Sequence, residues 1–419
     1  MDNLKGKKLL VISSEKKDLS FVNAAREMGA YIICCDIYTD YNISMAKKYA
    51  DEAWDIDYNK VDLIAEKCRE KGVDGVIAGY GEDRVMAAAK IANLIGTPFY
   101  ATEEQINFTR NKILFEKACR ECGVMIPNWY KENTDPADIK FPVIVKPSDS
   151  CGRKGISICN NPEELKEAII IAKSISKNGE IIIEEYIKGI ELLSIYTIKD
   201  GEYSLSCLND KYNSEDPDGP TLCDLVISPS SFLQRYKKDV DPGIKRLLKY
   251  MGAQNGVANF QFIANEKGIY AFEMGYRVNG NDDWKTIARH NGINFVKMLI
   301  NHSITGDMGD DLSKDNPAFP DYNVTLCGYL KPGKIGKIET GDIDKIENIY
   351  DIFFTKSEGS NIPEAHNNAR KTFLVKFTSG SLPETIEVIK KIQNNIKIFD
   401  TEGNPMLLKK FDVKRLEKN

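Results

Sequence analysis

Residues 260–280 of the chain read FQFIANEKGIYAFEMGYRVNG. Two short runs of aromatic and aliphatic residues flank the polar segment 265–268, and this pattern predicts a hairpin of two β-strands. An amide, Gln261, and a carboxylate, Glu273, lie inside the apolar runs and not at their solvated ends. Because polar groups at half-buried positions need partners, the hairpin is the first candidate for a functional site.

Length and composition limit the class of protein. A chain of 419 residues suggests roughly three domains at about 150 residues each. Its 42% hydrophobic and 28% charged residues are typical of a soluble globular protein, and no apolar run approaches the ~18 residues that a membrane helix needs. The start, MDNLKGKKLL, does not resemble a signal peptide, because its apolar run turns charged again by Glu15. We therefore expect a cytoplasmic protein with no membrane partner.

Charge and cysteine content exclude further classes. The net charge of -5 is spread over interspersed acids and bases, so no basic stripe indicates a nucleic-acid partner. The ten cysteines are expected to be reduced thiols and not a disulfide framework. Cys119 and Cys122 form a CxxC, but they lie on a predicted helix that ends at Gly123, and no second pair follows at zinc-site spacing. Helix packing is therefore favoured over metal binding.

The first hundred residues alternate strand and helix. KKLLVIS and AYIICCDIY read as strands around the helix DLSFVNAAREMG, which makes a βαβ unit. Asp36 ends the second strand, where a dinucleotide ribose would be bound. However, the turn SSEKKD after the first strand has no glycine to let the backbone approach a pyrophosphate, so a dehydrogenase is disfavoured. The pattern continues to about residue 101 and predicts one open parallel α/β domain.

The stretch FPVIVKPSDSCGRKGISI predicts a phosphate-covering flap. A buried strand at 143–145 leads to Lys146 and then to a loop of small and basic residues. Glycines let backbone N–H groups face an anion, and lysine neutralises its charge. The loop residues with these properties are Ser150, Gly152, Lys154 and Gly155. The alternative interpretation is a surface turn with solvated charges.

The next strand, in EIIIEEYIKGIELLSIYTI, ends in Glu184 and Glu185, and Glu191 follows seven residues after the first of them. A strand edge offers backbone donors and acceptors to an adenine ring, and a carboxylate shortly after it can accept both ribose hydroxyls. The segment therefore indicates a nucleoside site, and the alternative is an exposed charged turn.

Together these motifs resemble the ATP-grasp superfamily, in the branch that contains biotin carboxylase, carbamoyl-phosphate synthase and the L-amino-acid ligases. The resemblance covers nearly the whole chain and implies a mixed α/β and α+β fold. An N-terminal open parallel α/β domain, the pre-ATP-grasp domain, is expected at 1–105. The ATP-grasp domain follows at 106–310 with a flexible lid at about 118–186, and a small C-terminal α+β closing domain occupies 320–419. Relatives often pair, so a homodimer is possible.

The resemblance also implies roles for individual residues. ATP is expected to contact Lys112, Lys146, Ser150, Gly152, Gly155, Glu184, Glu185, Ile187 and Glu191. The metal ligands are expected to be Gln261 and Glu273, and the residues that assist phosphoryl transfer are Arg277, Lys146 and Lys154. The implied cofactors are ATP and one or two Mg²⁺ ions, for which Mn²⁺ can substitute.

Oxygen ligands are what Mg²⁺ prefers, which explains an amide and a carboxylate in the hairpin. A regular four-residue turn would pair Gln261 with Phe272, so we expect one extra residue, a bulge at Gly268, to bring Gln261 and Glu273 to the same face. One departure from the family concerns the second ion. Most relatives have Glu-x-Asn where this chain has Gly275, so water or a side chain of the following loop would take that place. The candidates are Asn279, Asn281 and Asp282.

The implied reaction is attack of a carboxylate on the γ-phosphate of ATP, after which an amine opens the acyl phosphate to an amide. The substrates are then small-molecule carboxylates and amines, and the loops at 79–83, 209–224 and 279–284 are candidates for selecting them. Two other functions stay open. One is phosphorylation of bicarbonate or carbamate, as in carbamoyl-phosphate synthase, and the other is nucleotide binding without catalysis.

Overall fold

The computed structural model describes residues 3–148, 155–216, 219–364 and 368–417. Within these ranges no helix has the length and apolar character needed to cross a membrane. The predicted flap residues Ser150, Gly152 and Lys154 lie outside the described residues.

The N-terminal part is a four-stranded parallel sheet of order β3-β2-β1-β4 with helices against it. Its apolar strand β1 is completely buried from Leu9 to Ile12, which is expected of a parallel sheet covered on both faces. The strands are β1 Lys8–Ile12, β2 Tyr31–Asp36, β3 Glu52–Asp55 and β4 Gly75–Ile77. The helices are α1 Leu19–Glu27, α2 Val61–Lys71, α3 Glu82–Ile95 and α4 Glu103–Arg110. The predicted open α/β architecture is confirmed.

A second, antiparallel sheet of order β5-β8-β6-β7 follows helix α5 Lys112–Glu121 and is called the lid below, together with helix α6. Its elements are β5 Trp129–Tyr130, β6 Val143–Pro147, β7 Ser157–Cys159, α6 Pro162–Ile175 and β8 Ile181–Glu185. Asn161 caps α6 by accepting a hydrogen bond from the Glu164 N–H, and Pro162 is at the first helical position. The apolar face of α6 covers Val143 and Val145, so the lid has its own small core.

The largest sheet has eight strands in the order β13-β12-β9-β10-β11-β14-β18-β16 and is called the long sheet below. Its first five strands in chain order are β9 Ile190–Lys199, β10 Glu202–Asp216, β11 Gly219–Ser228, β12 Gly256–Ala264 and β13 Ile269–Gly275. The others are β14 Tyr322–Tyr329, β16 Ile349–Phe354 and β18 Lys371–Ser379. The helices beside this sheet are α7 Leu233–Asp239, α8 Asp241–Tyr250, α9 Asp283–Asn291 and α10 Phe295–Thr305.

The register of the β12–β13 hairpin agrees with the prediction in one respect and not in another. Gln261 pairs directly with Glu273, as expected. The extra residue that makes this possible is Phe272, so the predicted position at Gly268 was wrong. The turn is regular because the Asn265 side chain accepts hydrogen bonds from the N–H groups of residues 267 and 268, and the irregularity is displaced into the strand.

The C-terminal part joins the long sheet and does not stand apart from it. Strand β14 pairs with β11, and Val324 shares a core with Leu225 and Tyr212 of the preceding part. The remaining elements are the three-stranded sheet of β15 Gly333–Glu339, β17 Asn361–Ile362 and β19 Lys397–Asp400, and helix α11 Leu382–Asn395. Hydrogen bonds therefore run across the boundary expected at 310–320, and the three domain boundaries stay predictions.

Candidate functional site

A cleft of about 2430 Å³ is lined by residues of the N-terminal part, the lid and the long sheet. It brings together most of the described candidate residues. Those that line it are Lys112, Lys146, Glu184, Glu185, Ile187, Glu191, Gln261, Glu273 and Arg277. Gly155 is not among the lining residues; it adopts a positive φ of 74° at the start of the segment that leads to β7.

Lys146 lies buried at the lid side of the cleft between two carboxylates. Its Nζ donates to Oε1 of Glu184 at 2.6 Å and lies 3.8 Å from Oε1 of Glu116 on helix α5. Burial alone would lower the pKa of Lys146, but the charges of Glu184 and Glu116 raise it above its ordinary value. Burial, together with the charge of Glu184, raises the pKa of Glu116 to about 8, although Lys146 opposes the shift. Sequence reasoning missed Glu116.

Several polar groups around Lys146 lack partners and could receive a nucleotide. Within the described ranges, Oε2 of Glu184 has no hydrogen-bond partner although it is buried. Ile187, which lines the cleft just after β8, makes no backbone hydrogen bond to the described residues. A buried acceptor and an unpaired backbone edge suit a planar base that carries an amino group and ring nitrogens. The residues present therefore fit an adenine nucleotide.

Glu191 is held by its own network. Oε1 accepts a hydrogen bond from Lys211, and Oε2 accepts one from Asn213. The same Lys211 Nζ donates to Oε1 of Gln261 at 3.3 Å. One ammonium thus links the residue expected to bind the ribose with a residue expected to bind the metal. The sequence indicated Lys211 only as a member of the candidate loop 209–224, whereas the structure places it on strand β10, where its position two residues before Asn213 gives both side chains the same face.

The hairpin presents an oxygen-rich surface to the cleft. Gln261 is opposite Glu273, and Asn259 is opposite Gly275, one pair further along the same face. A Cβ atom on Gly275 would lie 3.2 Å from the Asn259 Nδ2, so a side chain at position 275 would contact the Asn259 amide. In the part of the chain that the structure describes, no group of three or more His, Cys, Asp or Glu residues is arranged to hold a metal ion by itself. One carboxylate with two amides fits Mg²⁺ better than zinc.

Arg277 is oriented by the N-terminal part. Its Nε donates to Oε1 of Glu82 at 2.6 Å, at the start of α3, and its Nη1 donates to the backbone oxygen of Val278 at 2.9 Å. The guanidinium therefore joins the hairpin strand to α3 across the cleft. The sequence indicated Glu82 only as a member of the candidate loop 79–83, and the structure places it at the start of α3.

The three loop residues proposed to replace the amide at 275 all line the cleft, so the loop 279–282 forms part of its wall. Asn281 accepts from Lys371 at 3.1 Å, and Asp282 accepts from the Tyr80 hydroxyl at 2.7 Å. The Nδ2 of Asn279 donates to Asp283, but its Oδ1 is buried and has no hydrogen-bond partner among the described residues. Asn259 offers a further amide beside Glu273, because its strand pairs with that of Glu273; its Nδ2 donates to the Arg277 carbonyl oxygen at 2.8 Å.

Comparisons with known proteins agree with this geometry. Residues 104–300 match the family Carbamoyl-phosphate synthase L chain, ATP binding domain. The carbamoyl phosphate synthase large chain of Thermotoga neapolitana is 25% identical over 232 residues, which are 52% of this chain and 20% of that one. The chain thus spans about a fifth of the length of the curated relative.

Two solved structures share the fold over nearly the whole chain. The L-amino acid ligase of Bacillus licheniformis has a TM-score of 0.77 at 16% identity and covers 94% of this chain and 99% of its own. The biotin carboxylase domain dimer of Hydrogenobacter thermophilus 2-oxoglutarate carboxylase, in complex with MgADP, ADP and bicarbonate, has a TM-score of 0.77 at 18% identity and covers 96% of this chain and 91% of its own. These likenesses show that the chain has the ATP-grasp fold.

Proposed function

From its ATP-grasp fold and its match to a carbamoyl-phosphate synthase ATP-binding domain, we propose that the chain is an ATP-dependent carboxylate–amine ligase that acts through an acyl phosphate. The observation that carries the proposal is the arrangement of one cleft. Lys146 and an unsatisfied Glu184 oxygen lie on its lid side, the Gln261–Glu273 pair lies on the hairpin, and Arg277 lies beyond that pair. A triphosphate, a divalent cation and a carboxylate can meet there.

The proposed reaction has two steps. An oxygen of the substrate carboxylate attacks the γ-phosphorus of ATP, the bond from phosphorus to the β–γ bridging oxygen breaks, and ADP leaves. An amine nitrogen then attacks the acyl carbon, the carbon–oxygen bond to the phosphate breaks, phosphate departs, and the nitrogen loses a proton. Negative charge develops on oxygen atoms in both steps, so cations held close to those oxygens contribute most to catalysis.

The chain's own residues meet that need in different ways. Lys146 is kept charged chiefly by Glu184 and is positioned to contact phosphate oxygens from the lid. Arg277 is oriented by Glu82, so its guanidinium is preorganised for the transferring group or the carboxylate. Gln261, Glu273 and Asn259 would hold Mg²⁺, which supplies charge neutralisation at the phosphates when bound. Lys112 donates to the Pro147 carbonyl oxygen at 3.4 Å and lies beside the same site; we keep the role of Lys154 as a prediction.

A phosphate-release screen of carboxylates crossed with amines, with mass spectrometry of every positive mixture, tests the proposal. Glu273→Gln should reduce turnover by roughly 10² to 10³, which is the usual loss on removing one charge-stabilising group. Glu266→Gln, an exposed residue in the turn of the same hairpin, is the matched control and should leave turnover unchanged. Binding of ATP without phosphate release over the whole panel would contradict a ligase.

The match to the carbamoyl-phosphate synthase ATP-binding domain favours a second candidate, the phosphorylation of bicarbonate or carbamate. This reaction uses the same groups on a smaller substrate. ATP hydrolysis stimulated by bicarbonate alone, with no added organic acid, would identify it. We further propose a homodimer, since the biotin carboxylase structure named above is a dimer.

A further inference from the structure

Four basic side chains gather at the end of the cleft away from the lid. Lys16 and Lys17 lie in a short 3₁₀ turn after β1, Arg84 lies in the first turn of α3, and Lys356 follows β16. All four line the cleft, and all are half-buried. We call them the basic cluster. They come from the N-terminal and C-terminal parts of the chain, so only the folded protein brings the four together.

Two carboxylates face members of the basic cluster: Glu15 faces Lys17, Arg84 and Lys356, and the buried Asp18 faces Lys17 and Arg84. Arg84 pairs with Glu15 directly, and the Lys17 Nζ lies 3.6 Å from the Glu15 Oε2. Burial alone would raise the pKa of Glu15, but Lys17, Arg84 and Lys356 lower it below its ordinary value. Lys16 lies over the Phe353 ring at 5.4 Å, and neither it nor Lys356 forms an ion pair with any residue that the structure describes. The cluster therefore has an excess of positive charge.

Two further acids beside the basic cluster are engaged elsewhere. Glu82 binds Arg277, and Asp351 binds Lys285 with both oxygens at 2.8 Å. Gathering four half-buried cations around two carboxylates costs free energy unless an anion arrives between them. A negatively charged group on a ligand would remove that cost.

We infer that the basic cluster binds a second anionic group of the substrate, either a carboxylate or a phosphate monoester, distinct from the carboxylate that is phosphorylated. Arg84 lies two residues after Glu82, which holds Arg277, so the cluster adjoins the site of phosphoryl transfer without being part of it. The substrate class is then a dicarboxylic acid or a phosphorylated carboxylic acid. This inference rests on the proposed function for the identity of the first carboxylate.

Calorimetric titration with pairs of acids that differ in their second anionic group, in the presence of Mg²⁺ and a non-hydrolysable ATP analogue, tests the inference. Glutarate is compared with glutaramate, which has the same size but one charge fewer, and 3-phosphoglycerate is compared with glycerate, which lacks the phosphate. In at least one pair, the acid with the second anionic group should bind about tenfold more tightly than its partner, because a hydrogen bond to a charged group contributes about 1.5 kcal/mol or more. Which pair shows the preference distinguishes a carboxylate from a phosphate.

Lys16→Gln and Lys356→Gln should each weaken binding of the acid with the second anionic group about tenfold. Each should leave the affinity for its partner acid unchanged. Lys334→Gln is the control, because it makes the same charge change on an exposed residue of the C-terminal part outside the cleft. Equal affinity for the members of both pairs, or a preference that survives both variants, would overturn the inference.

The readout is binding and not turnover, so the two proposals fail separately. A charge preference that depends on Lys356, without any phosphate release, supports the basic cluster and contradicts the ligase. Phosphate release from monoanionic acids that Lys356→Gln does not change supports the ligase and overturns the cluster's role.

Discussion

The fold strongly alters the ionisation of the Glu116 carboxyl group. With its pKa raised to about 8, it is largely protonated at pH 7, and Lys146 then pairs with Glu184 alone. Charging Glu116 would place a second carboxylate beside an ammonium that is already paired in a buried site. The lid side of the cleft therefore becomes less stable as the pH rises.

Glu116→Gln should remove this pH dependence. The folded pKa is raised from 4.5 to about 8, so the stabilisation is complete below about pH 4.5 and is lost as the pH rises through 8. Over this range we expect the free energy of unfolding of the wild type to fall by roughly 2 to 4 kcal/mol because Glu116 loses its proton. The variant should not show this decrease. Denaturant unfolding at pH 5, 6, 7 and 8 measures the difference.

Glu121→Gln is the control for that experiment, because Glu121 is exposed on the same helix. Its stability should follow the wild type at every pH. If Glu116→Gln also followed the wild type, Glu116 would be ionised throughout and the proposed protonation would be wrong.

Asn259 and Gly275 offer a second test at the scale of single residues. We predict that the Asn259 amide serves as a metal ligand beside Glu273, so Asn259→Ala should weaken Mn²⁺ binding in the presence of ADP by about tenfold. Adding Gly275→Asn to that variant supplies an amide from the opposite strand and should restore affinity, since the space beside it is then vacant. Electron paramagnetic resonance of Mn²⁺ gives both affinities; failure of the double variant to recover would contradict the prediction.

The sequence predicted some site residues and not others for a physical reason. Gln261 and Glu273 could be paired from the sequence because a short hairpin fixes their register locally. Glu116 reaches Lys146 only because helix α5 packs beside the lid, and Glu82 reaches Arg277 across 195 positions of the chain. Such contacts depend on tertiary packing, which no local pattern encodes.

At the scale of elements, the same limit applies to the bulge of the hairpin. The need for an extra residue followed from counting positions, and that prediction of pairing was confirmed. The position of the bulge depended on whether the extra residue lay in the turn or in the strand. The Asn265 side chain closes the turn with two hydrogen bonds, so the extra residue is Phe272 in the strand.

The lid gives a prediction for a single element. Gly155 has a φ of 74°, and a Cβ there would lie 2.9 Å from side-chain atoms of Ile175 and Pro147. Gly155→Ala should therefore destabilise the packing of α6 on the lid sheet by about 1 to 3 kcal/mol and weaken ATP binding. Hydrogen exchange of strands β6 to β8 measures the first effect, and titration with ATP measures the second.

Gly179→Ala is a matched control in the same lid. Gly179 has nearly the same φ, 75°, but a Cβ there would meet nothing within 4 Å. It should show only the cost of a left-handed alanine, about 1 kcal/mol. Equal effects of the two variants would show that the contacts of Gly155 are unimportant.

At the scale of the whole molecule, the long sheet binds the C-terminal part to the rest. Strand β14 pairs with β11 over four residues, and the two parts share a core that contains Leu225, Ile227 and Val324. Removing residues after 314 would expose Leu225 and Ile227, each of which contributes about 1.5 to 3 kcal/mol when buried, together with an unpaired strand edge.

We predict that the chain stays one particle after it is cut between these parts. A protease site inserted after the exposed Lys314 allows cleavage of the folded protein. Both fragments should elute together in size-exclusion chromatography under native conditions and separate only in denaturant. Separation without denaturant would show that the part beyond the cut is an independent domain, which the sequence pattern alone suggested.

The position of Lys211 has a consequence for how the binding of one ligand affects the binding of the other. Its ammonium contacts both Glu191 and Gln261, so a cation seated at Gln261 and a sugar hydroxyl at Glu191 each change the surroundings of the same charge. Thermodynamic linkage then requires that magnesium and nucleotide alter each other's affinity by equal factors. Lys211→Met should reduce that cooperativity, as measured by ADP affinity with and without magnesium, and an unchanged ratio would show that the two sites do not communicate through this side chain.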